Sequence, residues 1–474
     1  MNTKLLKQKI LDLAIRGKLT QQLKSDGNTA DLLKEISSAC HPERSAKGAK
    51  SKDPGTIIPL DKSETPFEIP ANWEWVRLGD LCKASSGKTP STSQKEFWNG
   101  NVLWVTSKDV KQKYIDSTQI CLSDLGASSM QLYPPKTMII VGRSGILRHS
   151  LPVAILKKNA TVNQDLKALV FKDDRIVEFI YAVIKGMEQH LLHEYKKAGT
   201  TVDNLNFDLF LTAPIPLPPL AEQQRIVAKI EEAFAEIDAI EKNKELLKTH
   251  IKQTRQKILD LAIHGKLVPQ NKSDEPASVL LERITRDNPH YEKLTDIPFE
   301  IPESWEWIKL MNVCEDFIVP QRDKPTEFTG NIPWCRIEDI EGKYLNGSRS
   351  HQLVTKELAD KMNMHLCPKG TVISACSASI GNQAITTVDC YTNQTFIGIV
   401  CNKTLLFNEY LYYFLESQSK KLKEMGKGTT IGYISRKKYE DYAFPLPPLA
   451  EQKRIVNKIE EIFASLNEIS LHLV

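Results

Sequence analysis

The sequence predicts an α+β fold class: two structurally similar mixed α/β domains, separated by a long antiparallel two-helix coiled coil and related as a pseudo-twofold cyclic repeat. Three observations support this prediction. The phrase PLPPLAEQ occurs twice, at residues 216–223 and 445–452. Segments with the pattern of short buried strands lie between the repeated landmarks, and an apolar heptad pattern runs through the longest repeated segment.

The repeat is larger than this phrase. Residues 216–234 match residues 445–463 at sixteen of nineteen positions, and residues 67–82 match residues 299–314 at nine of sixteen. Between these landmarks the two halves share only traces, such as NQ at 163–164 and again at 393–394. Each half therefore combines a constant frame with a divergent middle.

A third match shows how the repeat is connected. Residues 8–22 match residues 256–270 at twelve of fifteen positions, but at an offset of 248 rather than 229. The PLPPLAEQ segment runs directly into the QKILDLAI segment in the middle of the chain, whereas at the ends the two pieces are separated. We therefore expect a cyclic duplication that is opened inside one copy of the segment.

The central segment has the features of one long helix. Its apolar residues follow the alternating four-three spacing of a coiled coil over five heptads, from Ile226 to Leu261. Pro219 suits a first helical turn and Gly265 suits a C-terminal cap, so we predict a helix from about 219 to 264. A helix of this length needs a partner, and we expect an antiparallel second helix assembled from both chain ends.

These landmarks divide the chain into seven segments. Three belong to the helices and two are linkers, while the remaining two are the mixed domains. The predicted segments are 1–22 (N-terminal helix completing the second conserved helix), 23–65 (partly disordered linker), 66–215 (first domain), 216–270 (central long helix), 271–297 (linker), 298–444 (second domain) and 445–474 (C-terminal helix).

The composition is that of a globular protein without a membrane span. Of the 474 residues, 41% are hydrophobic and 26% charged, and no apolar run reaches membrane-spanning length. The nine cysteines form no CxxC pair, which favours buried free thiols in a cytoplasmic protein. A net charge of +4 permits a nucleic-acid partner without requiring one.

The residues expected to bind a ligand lie in loops of the divergent middles. Lysine and arginine bind phosphate, whereas serine, threonine, asparagine and arginine can read base edges in DNA. Solvated loops without a ligand are the alternative interpretation for each residue taken alone. The candidates are Lys88, Thr89, Thr106, Ser107, Lys108, Arg143, Ser144 and Arg148 in the first half, and Arg322, Lys324, Arg336, Ser377, Ser379 and Asn382 in the second.

Motifs of the major enzyme classes are missing from the sequence. SGKT at 86–89 resembles the end of a phosphate-binding P-loop, but Cys82 stands where that motif requires a glycine. The chain has no GxGxxG, HExxH or GxSxG, and its ten histidines lack metal-ligand spacing. We therefore predict no catalytic residues and no metal site in this chain.

The combination of motifs resembles the specificity subunit of type I restriction-modification systems. The resemblance is carried by both PLPPLAEQxRIVxKIEE phrases, by QKILDLAI(R/H)GKL, by the IPxxWEW openings and by the stretch at 87–109. It covers nearly the whole chain. After the second WEW, the stretch PQRDKPTEFTGNIPWCRIED departs from its counterpart, so residue roles transfer less securely there.

The resemblance implies a non-catalytic DNA-binding subunit. Its two target-recognition domains would each read one half of a bipartite sequence in double-stranded DNA, and the conserved helices would set the spacing. The expected partners are two methyltransferase subunits and motor-nuclease subunits. The resemblance implies no cofactor on this chain, with S-adenosylmethionine, ATP and magnesium on those partners.

Two further interpretations concern surfaces outside the domains. Because a repeated surface suggests a repeated partner, we expect helix residues to bind the methyltransferase subunits, with solvated charge as the alternative. These residues are Arg225, Lys229, Arg454 and Lys458. Residues 40–55 lack apolar periodicity, which favours a disordered basic linker.

Three other functions compete with DNA recognition as the specificity subunit of a type I system. The chain could serve a related restriction system whose partner fuses methylation and cleavage, or it could be a coiled-coil scaffold whose domains bind proteins. It could also be an enzyme with an unfamiliar site. The scaffold accounts for the long helix but not for the divergence between the two middles.

Overall fold

A computed structural model of the chain describes residues 2–38, 57–61, 64–199, 202–287, 294, 296–320, 323–427 and 432–473. The chain divides into two compact units, which we call unit 1 (Met1–Asn243) and unit 2 (Lys244–Val474). The division falls inside one long helix. Among the described residues, we find no helix with the length and apolarity that crossing a membrane requires.

Unit 1 contains a mixed α/β domain and two flanking helical segments. Its helices are α1 (Thr3–Ile15), α2 (Thr29–Ser38), α3 (Leu78–Leu81), α4 (Asp124–Ala127), α5 (Val177–Gly186), α6 (Glu188–Tyr195), α7 (Phe207–Phe210) and the first part of α8 (Leu220–Ile263). Its strands are β1 (Glu74–Arg77), β2 (Cys82–Ser86), β3 (Trp98–Val105), β4 (Tyr114–Ile115), β5 (Cys121–Leu122), β6 (Met138–Val141), β7 (Arg143–Ser144), β8 (Val153–Leu156), β9 (Ala160–Val162), β10 (Leu166–Phe171), β11 (Lys196–Lys197), β12 (Asp203–Leu205) and β13 (Pro214–Leu217).

Unit 2 repeats this plan. Besides the second part of α8, its helices are α9 (Ala277–Asp287), α10 (Lys356–Lys361), α11 (Asn408–Ser417), α12 (Ser419–Met425), α13 (Arg436–Glu440) and α14 (Leu449–Leu471). Its strands are β14 (Glu306–Lys309), β15 (Cys314–Ile318), β16 (Ile332–Cys335), β17 (Tyr344–Leu345), β18 (Leu353–Val354), β19 (Val372–Ala375), β20 (Gln383–Thr386), β21 (Tyr391–Thr392), β22 (Phe396–Cys401) and β23 (Ala443–Leu446).

Three sheets have the same topology in the two units, and unit 1 has a further three-stranded sheet, β11-β12-β7. The five-stranded sheet has the order β2-β10-β6-β8-β4 in unit 1 and β15-β22-β19-β20-β17 in unit 2. A three-stranded sheet, β5-β3-β9 or β18-β16-β21, lies beside it in each unit. A two-stranded sheet joins the start and the end of each domain, β1 with β13 and β14 with β23. The predicted pair of similar mixed α/β domains is confirmed.

The long helix spans almost the predicted range, Leu220–Ile263 instead of about 219 to 264. Gly265 follows it with φ of +64°, and Gly17 follows α1 with φ of +65°, so both close their helices in the left-handed conformation that glycine adopts without strain. A side chain at either glycine would also collide with a proline ring. Glycine is therefore required at both caps.

Each unit contains one antiparallel helix pair. In unit 1, Lys7 of α1 forms an ion pair with Asp238 of α8, and Thr3 bonds Glu241 three residues further along α8. In unit 2, Arg255 of α8 bonds Asn467 and lies over the ring of Phe463, both in α14. One PLPPLAEQ helix thus pairs with one QKILDLAI helix in each unit, as the cyclic repeat predicts.

The PLPPLAEQ phrase fixes the start of its helix to the adjoining domain through a glutamate. Glu222 is fully buried and accepts hydrogen bonds from Trp73 Nε1 and Gln22 Nε2, each at 2.9 Å. Glu451 accepts from Trp305 Nε1 at 3.0 Å and from Gln270 Nε2 at 2.6 Å. Burial raises the pKa of the Glu451 carboxyl. The first tryptophan of each WEW motif is therefore a core residue that bonds this glutamate.

A glutamine follows each glutamate, and its contacts differ between the units. Gln223 Nε2 donates to the carbonyl of Pro218 at 2.8 Å, and its own Oε1 has no hydrogen-bond partner among the described residues. Gln452 Nε2 donates to the carbonyls of Pro447 and Leu405, and its Oε1 accepts from the backbone N–H of Phe407. The phrase thus holds unit 2 more tightly than unit 1.

Two stretches with the apolar spacing of a helix contain a break. The segments 177–195 and 408–425 are interrupted at Met187 and Gln418, where the backbone leaves the helical conformation. After each break a leucine is fully buried, Leu191 in α6 and Leu422 in α12. The sequence pattern did not reveal these breaks because the apolar spacing continues across them.

The segments interpreted as linkers contain packed helices. Leu32 and Leu33 of α2 belong to the core of unit 1, and Leu280 of α9 belongs to the core of unit 2. The two helices also correspond at the offset of 248, so the repeat extends beyond the fifteen matched residues. Residues 40–55, interpreted as a disordered basic linker, lie outside the described residues.

The cysteines of the described residues are free thiols, and six of these eight are buried. Burial raises the pKa of Cys82 to about 12 and that of Cys376 to about 11. Since a thiol reacts as its thiolate, these side chains act as small apolar core residues at neutral pH.

Candidate nucleic-acid interface

A pair of parallel strands places two loops of unit 1 side by side. Strands β3 and β9 are parallel, with Val105 opposite Val162, so their carboxyl ends meet at one edge. The loops that follow are 106–109 and 163–165. Asn163 donates its backbone N–H to the carbonyl of Val105 at 2.9 Å, which fixes the two loops against each other.

Two more loops join this edge through backbone hydrogen bonds. Lys88 donates its N–H to the carbonyl of Val162 at 3.0 Å. Gly142 and Arg143 both donate to the carbonyl of Asp165, at 2.8 and 3.1 Å. We call this arrangement the loop frame: four loops at the end of a parallel strand pair, held together by main-chain bonds.

The loop frame brings the first five candidates of unit 1 together. Thr89 bonds Gln164, which links loop 87–89 to loop 163–165. Thr106 donates its hydroxyl to Asp109 at 2.7 Å, and its backbone N–H donates to the same carboxylate. Lys88 and Lys108 are exposed, and Ser107 is half-buried between Thr106 and Lys108. These side chains share one edge of the domain.

The remaining candidates of unit 1 lie on the loop that begins at Gly142. Arg143 is exposed on β7, and Ser144 accepts a hydrogen bond from the N–H of Ile146 at 3.3 Å. The guanidinium of Arg148 lies 4.0 Å from Asp203, which also pairs with Lys196 at 3.4 Å. The N–H of Gly199 and the ammonium of Lys196 lower the pKa of Asp203, so it is an anion that neutralises the cations around it.

Three loops of unit 2 are held in the same way as their counterparts in the loop frame of unit 1. Strands β16 and β21 are parallel, with Cys335 opposite Thr392, and Asn393 donates its N–H to the carbonyl of Cys335 at 3.1 Å. Cys376 donates its backbone N–H to the carbonyl of Thr395 at 2.8 Å. In unit 1 the backbone N–H of Gly142 donates to the carbonyl of Asp165 in the same way. Loops 336–339, 376–379 and 393–395 therefore lie together.

A groove opens beside loop 376–379 and collects two of the candidates of unit 2. It has a volume of about 650 Å³. Ser377 pairs through its backbone with Tyr433 beside the groove, and Ala378 has φ of +54°, a conformation that is uncommon for a residue with a side chain. The groove is lined by Ala378, Ser379, Ile380, Asn382, Lys423, Gly426, Lys427 and Gly432.

The other candidates of unit 2 have different surroundings. Arg336 forms an ion pair with Glu338 at 2.8 Å and is half-buried. Lys324 is exposed, with its ammonium 5.6 Å from the centre of the Phe328 ring, which in turn contacts Trp334. Arg322 lies outside the described residues.

The two loop frames carry different side chains at equivalent places. Leu205 donates its N–H to the carbonyl of Gly142, and Ile434 donates to Cys376, so Arg143 is equivalent to Ser377. By the same comparison, Thr106 of unit 1 is equivalent to Arg336 of unit 2. An arginine thus stands on one loop in unit 1 and on a different loop in unit 2. Because arginine reads guanine and the short hydroxyl side chains do not prefer one base, the two edges present different donor patterns.

Sequence reasoning missed the lysines that lie next to these loops. Lys167 donates to the hydroxyl of Ser86 at 2.6 Å in unit 1, and Lys423 and Lys427 line the groove of unit 2. One signal was available: the repeated GTT at 199–201 and 428–430 lies close to Lys196 and Lys427 in the sequence. Among the described residues, no group of acidic, histidine or cysteine side chains is arranged to hold a metal ion.

The structure places both helix arginines in ion pairs within their own units. Arg225 makes two hydrogen bonds of 2.7 Å to the carboxylate of Asp26, and Arg454 bonds Asp274 at 2.6 and 3.1 Å. The hydrogen bonds of Arg225 lower the pKa of Asp26. Both arginines therefore close their own unit and are not free cations. Lys229 and Lys458 are exposed, and within the described part of the chain each forms an ion pair only with the glutamate three residues ahead, Glu232 or Glu461.

Comparison with known proteins assigns the family. The model of the type I restriction modification DNA specificity domain matches residues 70–249 and again residues 302–472. The chain belongs to this family. Both copies of the specificity domain contain one loop frame and the start of one PLPPLAEQ helix, and the two copies together account for most of the chain.

Relatives in the family have similar lengths. The specificity subunit of the type I restriction enzyme EcoAI from Escherichia coli is 24% identical, with 98% of this chain and 90% of that protein covered. The MjaIX specificity subunit from Methanocaldococcus jannaschii is 23% identical over 84% of this chain and 88% of the relative. Relatives that are named specificity subunits thus match both domains and the helix between them.

Solved structures share the fold of this specificity protein. The HsdS subunit from Thermoanaerobacter tengcongensis matches with a TM-score of 0.55 and 18% identity, covering 87% of this chain and 94% of that one. A chain from a structure of type I R-M complex assembly and conformational transition matches with a TM-score of 0.58 and 20% identity, covering 86% and 94%. At these identities the matches establish the fold.

Proposed function

We propose that the chain is the DNA-specificity subunit of a type I restriction-modification complex, and that each unit reads one half of a bipartite target. The observation that carries this proposal is the pair of loop frames with different side chains. Two domains that recognise different half-sites require the same main-chain arrangement with different side chains. Family membership, established for both domains, supports the same function.

Within each loop frame we propose a division between base contacts and phosphate contacts. Arginine, serine, threonine and asparagine would read base edges, whereas the exposed lysines and Arg148 would bind phosphates and position the domain. The proposed base-reading residues are Thr89, Thr106, Ser107, Arg143 and Ser144 in unit 1, and Arg322, Arg336, Ser377, Ser379 and Asn382 in unit 2. The proposed phosphate contacts are Lys88, Lys108, Arg148 and Lys324.

Catalysis would reside on partner subunits. The family to which the chain belongs is that of non-catalytic specificity subunits, and we propose that two methyltransferase subunits and the motor-nuclease subunits bind it. S-adenosylmethionine, ATP and magnesium would then be bound by those partners. The exposed Lys229 and Lys458, which occupy equivalent places on the two PLPPLAEQ helices, are the proposed contacts to the methyltransferase subunits.

The first experiment is co-expression with the neighbouring methyltransferase subunit, followed by methylation mapping on genomic DNA. We expect adenine methylation in both halves of one split motif. Exchange of residues 66–215 for those of a relative should change one half of the motif and leave the other unchanged. A stable complex that methylates no motif would instead favour the coiled-coil scaffold.

The partner surface has its own test. The double variant Lys229→Glu and Lys458→Glu should reduce co-purification of the methyltransferase subunit, because charge reversal at equivalent contacts weakens both copies of an interface. The matched control is Lys248→Glu on α8, where the lysine is equally exposed and also pairs with a nearby glutamate. Equal recovery of the partner with both variants would contradict this assignment.

A further inference from the structure

Unit 2 has a basic surface that unit 1 lacks, and it adjoins the groove. We call it the α12 lysine surface: Lys420, Lys421, Lys423 and Lys427, all exposed. The stretch 419–427 contains four lysines and one glutamate. The equivalent stretch of unit 1, residues 188–198, contains two lysines and two glutamates. The net charge is therefore +3 in unit 2 and zero in unit 1.

Charge pairing differs between this surface and the loop edge of unit 1. Among the described residues, no carboxylate forms an ion pair with Lys420, Lys423 or Lys427. In unit 1, Lys196 and Arg148 both lie beside the carboxylate of Asp203. At the position equivalent to Asp203, unit 2 has Gly432, which lines the groove. Unpaired cations at this density repel one another, so a surface of this kind is stabilised by a polyanion.

The α12 lysine surface is continuous with the proposed base-reading loop. Ser419, at the start of α12, donates its hydroxyl to the carbonyl of Gly381 at 3.2 Å. The side chain of Lys423 passes so close to Gly381 that a Cβ there would lie 3.0 Å from Lys423 Cε. Lys423 and Lys427 line the same groove as Ser379 and Asn382. A DNA strand that reaches these two polar side chains therefore passes the lysines.

We infer that the α12 lysine surface binds the phosphate backbone of double-stranded DNA next to the half-site read by unit 2. Unit 2 then adds sequence-independent, salt-dependent attraction to that of Lys324, from a stretch whose equivalent in unit 1 carries no net charge. This inference rests on the proposed function and adds to it a further phosphate-binding surface on unit 2. The carrying observation is the joint presence of unpaired lysines and base-reading candidates around one groove.

The test measures how DNA affinity depends on salt. The variant Lys420→Gln, Lys423→Gln and Lys427→Gln is compared with the wild type, both co-expressed with the methyltransferase subunit, on a fluorescent duplex carrying the mapped motif and on one without it. Affinity falls as salt rises, and each phosphate contact contributes about 0.9 to the steepness of log affinity against log salt. Loss of three contacts should therefore make this dependence less steep by about 2.7. Affinity for both duplexes should fall by the same factor, because phosphate contacts carry no sequence information.

The matched control removes the same charge from unit 1. Lys34→Gln, Lys83→Gln and Lys158→Gln replace three lysines that are also exposed but lie outside the loop frame. If the wild-type complex methylates the mapped motif, either of two results would overturn the inference: an unchanged slope in the α12 variant, or an equal change of slope in the control. Absence of any methylated motif in the wild-type complex would instead reject the proposed function itself, so the two failures are distinguishable.

Discussion

Units 1 and 2 share a backbone and differ in the side chains that the backbone presents. Their five-stranded sheets have the same strand order, and their loop frames are closed by equivalent main-chain bonds. On this common base, Arg143 of unit 1 is replaced by Ser377, and Thr106 is replaced by Arg336. The difference teaches that the position of the loops and the identity of their side chains are determined separately. Backbone hydrogen bonds place the loops, and the side chains supply the recognition chemistry.

The units also differ in how their parts are held together. Gln452 makes three hydrogen bonds in unit 2, whereas Gln223 makes one in unit 1. An acid stands beside the cations of the loop edge in unit 1, and a glycine takes that place in unit 2. Comparison of matched variants in the two units can therefore separate the shared backbone from the individual chemistry.

The largest effect is expected where unit 1 has no room for a side chain. A Cβ at Gly87 would lie 2.0 Å from the carbonyl oxygen of Val162, so Gly87→Ala must displace loop 87–89 from the loop frame. We expect a cost of about 3 kcal/mol, which lowers methylation of the half-site read by unit 1 on the order of 100-fold. Methylation kinetics on duplexes with one half-site already methylated measure each half separately.

The control for this prediction is another glycine of the same edge. Gly145 has no atom within 4 Å of the place where its Cβ would lie, so Gly145→Ala should leave both half-sites nearly unaffected. Equal loss in the two glycine variants would mean that loop 87–89 is not held as tightly as the main-chain bonds indicate.

A second comparison concerns the two PLPPLAEQ phrases. Gln452→Ala removes three hydrogen bonds and should lower the free energy of unfolding of unit 2 by about 3 kcal/mol, at about 1 kcal/mol for each bond. Gln223→Ala removes one bond and should cost unit 1 about 1 kcal/mol. Hydrogen exchange of peptides from α14 and from the first part of α8, measured in increasing urea, reports each unit. Equal costs would show that the additional bonds of Gln452 contribute no net stability.

A smaller effect than that of Gln452→Ala is expected at the ion pair that closes unit 1. Asp26→Asn keeps the shape of the side chain but removes its charge, which should cost about 1.5 kcal/mol at pH 7. Because Arg225 lowers the pKa of Asp26, this contribution is fully present above the ordinary value of 3.8 and disappears as pH falls below it. The variant and the wild type should therefore converge in acid. A constant difference between pH 7 and pH 3 would assign the stabilisation to packing instead of charge.

Much of the fold could be predicted from the sequence, because repetition and periodicity record it directly. The bounds of the long helix were predicted to within one residue at each end, and the pairing of α1 with the PLPPLAEQ helix followed from the offset of 248. The breaks at Met187 and Gln418 could not be predicted, since the local apolar pattern continues across them.

Only part of the candidate interface could be predicted from the sequence. Short polar loops after buried strands identified Thr106 and Ser379, because such loops lie at the end of a sheet whatever its topology. Lys423 and Lys427 were missed because they approach the loop from a helix more than forty residues later in the chain, a contact that one sequence does not reveal. The ion pairs of Arg225 and Arg454 were not predicted because their carboxylate partners, Asp26 and Asp274, lie in segments interpreted as linkers.

The bonds that hold the loops have a consequence for how such a protein changes over generations. The bond from Lys88 to Val162, like the bond from Cys376 to Thr395, joins main-chain atoms, so it survives most substitutions at either position. Mutations at the reading positions can accumulate without unfolding the domain. Selection can therefore explore new target sequences one side chain at a time, and a lineage can drift from one specificity to another without passing through an unstable intermediate.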